Sequence, residues 1–453
     1  MKFSAKTKKW LAVPLSLALL IPTAGSMVSA AQDGEMPSVT TPAVELRTTL
    51  DRYLGEHAYL AIETMRKGAE GAADFEQAAA ALSANTTDLA GAIASVYGEE
   101  AGTQFEEMWS RHIGFFVDYV TATAEEDQVA KEEALANLDN YREEFSNFLA
   151  SATGERLEAG ALAEGLQMHV NQLIGAFDAF AAEDFDKAYE YGRKAISHIY
   201  GVSDGLSNAI VDQFPDKFEN TTADTPAADL RSNLNYLLTE HAGLAVTAMQ
   251  NGIDGSADFE ASANALAANT TDLSAAIASV YGEEAGTQFE EMWAAHIGNF
   301  VEYVTATGAE DEEAKTAAIE ALNNYRAEFS AFIETATEGR VVAEGLSEGL
   351  QMHVDKLITA FDSYVVEDYA TAYENVRTAY AHMLNPAKGL SAAFVDQFPE
   401  NFVATKMPTE MPKTGLGGTA QDESFAWVWV SLAALLAAAG VFAMKRVTGG
   451  KNE

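Results

Sequence analysis

The segment AIASVYGEEAGTQFEEMW occurs twice in this chain, at residues 92–109 and again at residues 276–293. The two copies lie 184 positions apart. The same offset relates all eight histidines, which form four pairs: His57 and His241, His112 and His296, His169 and His353, His198 and His382. A constant offset without gaps indicates a tandem duplication, with one repeat at residues 42–218 and the other at residues 226–402.

Both repeats carry the sequence pattern of helices. They are rich in Ala and Leu, poor in Pro, and apolar at three- and four-residue spacing. In repeat 1 we expect helices at residues 44–68, 74–97, 99–123, 127–152, 157–181 and 184–212, with breaks at Gly98 and Gly154 among others. Short connections make neighbouring helices antiparallel. The predicted fold class is all-α, with two tandem up-and-down helical bundles of about six helices each.

The charge of the chain is strongly acidic, with a formal net value of −40. Both ends are basic, so the part between them is more acidic still. Such a surface repels polyphosphate and attracts cations, which argues against nucleic acid as a partner. The chain also has no cysteine. Disulfides, thiolate metal sites and covalently attached c-type haem are therefore excluded.

The first 30 residues have the pattern of a secretory signal peptide. Four lysines, Lys2, Lys6, Lys8 and Lys9, precede an apolar run at residues 11–21, and the small residues 28–30 follow. We expect the mature chain to begin near Ala31, outside the cytoplasm.

The C-terminal part, residues 403–453, is predicted to be a linker and an anchor. The sequence Met411, Pro412, Lys413, Thr414, Gly415 is followed by a polar spacer, an apolar stretch at residues 425–444 and a basic tail. This resembles the sorting signal of Gram-positive surface proteins, Leu-Pro-x-Thr-Gly, with Met411 in place of the usual Leu. The resemblance implies that sortase cuts between Thr414 and Gly415 and joins Thr414 to peptidoglycan in the cell wall.

An alternative interpretation of the apolar stretch and the length of the stalk both bear on where the protein is located. The apolar stretch at residues 425–444 is long enough to be a permanent transmembrane helix, since about 20 residues span a bilayer. Before sorting it is the only predicted contact with the membrane. The stalk at residues 403–414 reaches at most about 40 Å. That short reach favours a protein resident within the wall over an adhesin that must clear it.

The histidines of repeat 1 are the candidate functional residues. His57, His112, His169 and His198 each lie in a line of apolar core positions and near the midpoint of a predicted helix. In an up-and-down bundle the midpoints share one layer, so the four side chains should converge there, as should their counterparts in repeat 2. Facing helices of bundles build metal and cofactor sites in this way. The alternative is a purely structural polar layer, with the histidines hydrogen-bonded to Asn85, Tyr141 and backbone carbonyls.

If a metal binds, imidazole ligands without thiolate favour copper, zinc, nickel or iron over magnesium or calcium. Four methionines near the histidines are candidate additional ligands that favour copper: Met108, Met168, Met292 and Met352. Haem b held by two histidines also remains open. A ferritin-like di-iron centre is not expected, because no histidine of repeat 1 ends a Glu-x-x-His motif.

The repeats faintly resemble helical secreted proteins of Gram-positive bacteria that carry a copper amine oxidase label. That resemblance implies association with copper. The catalytic family uses a His-x-His pair and an Asn-Tyr-Asp/Glu segment, whereas the nearest tripeptide here is Asn140, Tyr141, Arg142 and no His-x-His occurs. No H-E-x-x-H motif is present either, so an enzyme is the less favoured class. A structural or adhesive surface module without ligand is the other alternative.

Overall fold

The computed structural model describes residues 36–403, and within them the fold is all-helical, as predicted. The signal peptide at residues 1–30, the sorting motif at residues 411–415 and the apolar stretch at residues 425–444 lie outside the described residues. Within residues 36–403, no helix combines the length and the apolarity needed to cross a bilayer.

Repeat 1 forms six α-helices with boundaries close to those expected from sequence. They are α1 (Pro42–Glu70), α2 (Phe75–Tyr97), α3 (Glu99–Ala124), α4 (Gln128–Ala152), α5 (Ala159–Ala181) and α6 (Phe185–Gln213), followed by a 3₁₀ turn at Pro215–Phe218.

Repeat 2 forms seven α-helices. They are α7 (Pro226–Asp254), α8 (Phe259–Tyr281), α9 (Glu283–Gly308), α10 (Glu312–Ala336), α11 (Ala343–Val365), α12 (Tyr369–His382) and α13 (Leu384–Gln397), followed by a 3₁₀ turn at Pro399–Asn401. The extra helix arises because the counterpart of α6 is divided at Met383. Pro386 follows three residues later, where repeat 1 has Val202. Proline has no N–H and its ring crowds the preceding turn, so a continuous helix is interrupted there.

Local chemistry at the helix ends explains the sharp boundaries. The Thr41 side chain accepts a hydrogen bond from the Val44 N–H, Pro42 occupies the first turn, and Gly71 ends α1 in the left-handed conformation at φ 61°. Thr225 and Gly255 do the same for α7. A threonine N-cap, a proline in the first turn and a left-handed glycine at the end together define a helix of fixed length.

The two repeats pack against each other through their first helices, α1 and α7, and share one hydrophobic core cluster. Equivalent positions of the two helices meet. The Asn235 amide donates to the Asp51 carboxylate at 3.2 Å, and a methyl group added at Gly243 would lie 2.9 Å from the Tyr59 ring. Because equivalent residues touch along their length, α1 and α7 run side by side in the same direction, related by an approximate two-fold axis.

Reciprocal ion pairs cross this interface. Arg377 of α12 binds Glu56 of α1 at 3.0 Å, and Arg193 of α6 binds Glu240 of α7 at 2.9 Å. The two glutamates are buried, and each also accepts a hydrogen bond from an asparagine, Asn85 for Glu56 and Asn269 for Glu240. Each repeat therefore neutralises a buried acid of the other.

Removing the arginine of one inter-repeat pair should be costly, because the buried Glu240 carboxylate would stay without a compensating positive charge. We expect Arg193→Ala to lower the free energy of unfolding by about 3 kcal/mol, measured by urea denaturation. The exposed pair of Arg111 and Glu144 provides the matched control, since Arg111→Ala should cost less than about 1 kcal/mol. Equal effects of the two substitutions would contradict a stabilising role for the inter-repeat pair.

Candidate metal centre

Three long helices of repeat 1 bring one histidine each to a common layer. His57 on α1, His112 on α3 and His169 on α5 are all buried. The ring centre of His57 lies 5.4 Å from that of His112 and 6.2 Å from that of His169. The structure thus brings together three of the four histidines of this repeat. We call these three residues the repeat 1 triad.

The repeat 2 triad consists of His241, His296 and His353, and it is slightly tighter. The ring centre of His241 lies 5.3 Å from that of His296 and 6.0 Å from that of His353. One nitrogen of each ring lies within 4.8 Å of the others, and the Nε2 atoms of His241 and His296 are 3.4 Å apart. Two imidazole nitrogens bound to one tetrahedral zinc-sized ion stand about 3.3 Å apart. His241 and His296 therefore have the spacing of two ligands of one ion, and a nitrogen of His353 lies within 4.8 Å of both. Within residues 36–403, the repeat 1 triad does not bring three nitrogens this close together.

The fourth histidine of each repeat has a different role. His198 Nε2 lies 2.9 Å from the Gly165 carbonyl oxygen, and His382 Nε2 lies 2.9 Å from that of Gly349. Because a carbonyl only accepts, these nitrogens carry the proton and donate. Both histidines are close enough to the neighbouring triad to influence His169 and His353 electrostatically. His198 and His382 therefore lie next to the triads but are not members of them.

The triads contain buried nitrogens without a hydrogen-bond partner. Among residues 36–403, both ring nitrogens of His57 and of His169 lack a partner, as does Nδ1 of His241 and of His353. Proteins satisfy about nine in ten buried polar groups, and each unsatisfied one costs about 1–3 kcal/mol. So many unpaired nitrogens in one place leave lone pairs available to a metal ion or to water.

The contacts expected for a purely structural layer are not made by Asn85 and Tyr141. The Asn85 amide donates to the Tyr53 carbonyl and to Glu56. The Tyr141 ring stacks on His112 with ring centres 5.0 Å apart, but its hydroxyl is buried without a partner.

A tryptophan that sequence reasoning did not assign to the site completes each triad. The Trp109 ring centre lies 4.8 Å from that of His57 and 4.6 Å from that of His112. Trp293 occupies the same place in repeat 2. The signal was present in the sequence, since Trp109 precedes His112 by three positions and therefore shares its helix face.

The four candidate methionine ligands are divided between core and surface. Met108 is buried and Met292 is partly buried, and both pack in the hydrophobic core. Met168 and Met352 are half exposed, at 51% and 50%.

Burial keeps the triad imidazoles neutral. Desolvation, followed by the neighbouring His169, lowers the pKa of His112 to about 3. Desolvation, followed by His198, lowers the pKa of His169 to about 3, and desolvation holds the pKa of His57 well below its usual range. In repeat 2 the same cause lowers the pKa of His296 to about 4 and that of His353 to about 3. A neutral imidazole is the form that binds metal.

A cavity adjoins each triad. In repeat 1 its volume is about 300 Å³, and His112, His169 and Trp109 form part of its wall; in repeat 2 it is about 340 Å³. The lining is mainly aliphatic and aromatic. Three glycines of α5 and α6 line the repeat 1 cavity, and a methyl group added to any of them would meet no atom within 4 Å: Gly165, Gly201 and Gly205. These dimensions match small-molecule sites, which start near 300 Å³.

No protein family, curated protein or solved structure matches this chain. The interpretation of the site therefore depends on its geometry and chemistry.

The low pKa values make the stability of the metal-free protein depend on pH. In the unfolded chain a histidine takes up a proton near pH 6.5, whereas His112 and His169 in the fold do so only near pH 3. Since the unfolded state binds more protons between these values, stability falls as the pH is lowered through this window.

We expect the stability of chelator-treated protein to decrease between pH 6.5 and 5, measured by urea denaturation. His169→Phe should reduce this slope by about 1 kcal/mol per pH unit, because one titrating group is removed. Tyr141→Phe is the control, since it alters the same core without removing an imidazole. An unchanged slope in His169→Phe would show that His169 is not held neutral by the fold.

Proposed function

We propose that this chain is a secreted, cell-wall-anchored protein of two helical bundles, each of which binds one transition-metal ion through its histidine triad. The observation that carries the proposal is the repeat 2 triad, in which the Nε2 atoms of His241 and His296 are 3.4 Å apart and a ring nitrogen of His353 lies within 4.8 Å of a nitrogen of each. A bound ion would accept the lone pairs of these converging nitrogens.

Copper is the ion we favour, with zinc as the closest alternative. The affinity of nitrogen sites for divalent ions rises to a maximum at copper. We assign no ligand role to the methionines, because Met168 and Met352 are half exposed and Met108 and Met292 pack in the hydrophobic core. The support for copper is therefore the set of imidazole ligands alone, and the methionine thioethers add nothing to it.

The same spacing favours a bare ion over haem b. Axial imidazoles bind on opposite faces of a porphyrin, which separates them. His241 and His296 instead approach each other directly at Nε2, and His198 and His382 use their Nε2 atoms on carbonyl groups.

A function in metal capture or buffering within the wall is consistent with the charge of the chain. A net charge of −40 raises the local concentration of cations around the protein. Of the partners, we propose sortase and peptidoglycan. We do not propose amine oxidation, since the quinone-forming motif is lacking, and a ligand-free surface module remains the alternative that the next experiment tests.

We expect two copper ions per chain by elemental analysis of the soluble protein, residues 31–405. His169→Phe should leave one ion, and His169→Phe combined with His353→Phe should leave none, because each substitution removes one ligand of one triad. His198→Gln is the matched control and should retain two ions. No binding of copper or zinc by the wild type would contradict the metal site and favour a ligand-free module.

The anchor is tested separately. Muramidase digestion of the wall should release native protein carrying peptidoglycan fragments, detected by mass spectrometry, and Thr414→Ala should move the protein to the membrane fraction. Native protein found wholly in detergent-extracted membrane would instead support a permanent transmembrane helix at residues 425–444.

A further inference from the structure

The two cavities are nearly equal in size but differ in charge, because the repeats differ around an arginine that occupies equivalent positions in both. In repeat 1, Arg142 lines the cavity and is held by the Asp139 carboxylate at 2.6 Å. In repeat 2, the equivalent Arg326 also lines the cavity, but Asn323 stands in the place of the acid. Arg326 makes no ion pair within residues 36–403, and its Nε atom is buried without a hydrogen-bond partner.

A second divergence changes the charge in the same direction. Glu158 lines the repeat 1 cavity, whereas its counterpart Val342 lines the repeat 2 cavity with an apolar side chain. Arg340 also lines the repeat 2 cavity but is already paired with Asp396 and Glu338. The repeat 2 cavity therefore has one uncompensated positive charge, and the repeat 1 cavity has one uncompensated negative charge.

The remaining wall of the repeat 2 cavity selects an apolar body. It is formed largely by leucines and aromatic side chains, among them Trp293 and Phe329. A cavity of 150 Å³ with such a lining holds benzene. The repeat 2 cavity, at about 340 Å³, offers roughly twice that space. Tyr325 adds one more donor, since its hydroxyl is buried in this wall without a partner.

We propose that the repeat 2 cavity binds a small hydrophobic monocarboxylate, with its carboxylate on Arg326 and its apolar body against the aromatic wall, and that the repeat 1 cavity does not. A planar guanidinium fork matches a carboxylate in shape as well as in charge. One free arginine compensates one negative charge. Polyanions are disfavoured by the net charge of the chain. This inference goes beyond metal binding and does not depend on it.

The probe for this site is 2-naphthoate, a two-ring carboxylate, titrated by calorimetry into the metal-free soluble protein and into the copper-loaded one. We expect one molecule per chain in both forms. The neutral analogue 2-naphthalenemethanol should bind about tenfold more weakly or less, since it cannot form the charge-assisted pair. Binding only in the copper-loaded form would show that the metal, and not Arg326, holds the carboxylate, and would overturn the proposal.

Matched variants exchange the features of the two repeats. Asn323→Asp gives Arg326 the acid that Arg142 has, and it should weaken naphthoate binding about tenfold or more, as should Arg326→Met. Asp139→Asn combined with Glu158→Val gives repeat 1 the features of repeat 2, and it should raise the stoichiometry from one to two. Circular dichroism and thermal melting verify that each variant is folded.

Three further results would overturn the proposal. They are the absence of naphthoate binding by the wild type, equal affinity for naphthoate and the alcohol, and unchanged affinity in both Asn323→Asp and Arg326→Met. The copper content of the same samples is measured independently, so a failed metal site and a failed carboxylate site give different results.

Discussion

The side-by-side packing of α1 and α7 is the contact on which the rest of the fold depends. α1 touches α2, α3, α5 and α6 of its own repeat as well as α7 of the other. Burying this helix also buries Glu56, and burying α7 buries Glu240. An uncompensated carboxylate in such a place is strongly destabilising. Each acid is neutralised by an arginine of the opposite repeat, so the interface is a requirement of the charge pattern as well as of the apolar core.

The same contacts connect the interface to the histidine triads. Glu56 is followed directly by His57, and Glu240 by His241. The arginine that binds Glu240, Arg193, lies on α6 together with His198, which stands beside the repeat 1 triad. Helix α6 therefore lines the cavity of its own repeat and, through Arg193, contacts the first triad helix of the other.

Duplication explains the symmetry, and contact between the copies explains where they differ. At the equivalent positions that meet across the axis, one copy carries Asp51, Tyr59 and Glu63 while the other carries Asn235, Gly243 and Thr247. Identical copies would place two acids or two tyrosines against each other in a buried interface. The differences let Asn235 and Thr247 donate to the acids they meet. The differences between the two cavities lie away from the contact between α1 and α7. They change the charge of the cavity wall and not the packing between the repeats.

The duplication, the all-helical class and, within a few residues, the six helices of repeat 1 can be read from the sequence, because caps, glycines and apolar spacing act locally. The positions of His57, His112, His169 and His198 near helix midpoints predict one layer for all four, and the fold brings the first three together. Which groups meet across the chain depends instead on tertiary packing. The division between the triads and the carbonyl-bound His198, the use of Asn85 by Glu56, and the unpaired Arg326 all depend on helix rotation and on contacts between distant segments. Local sequence patterns do not encode these, because one turn of a helix can direct a side chain toward several neighbours.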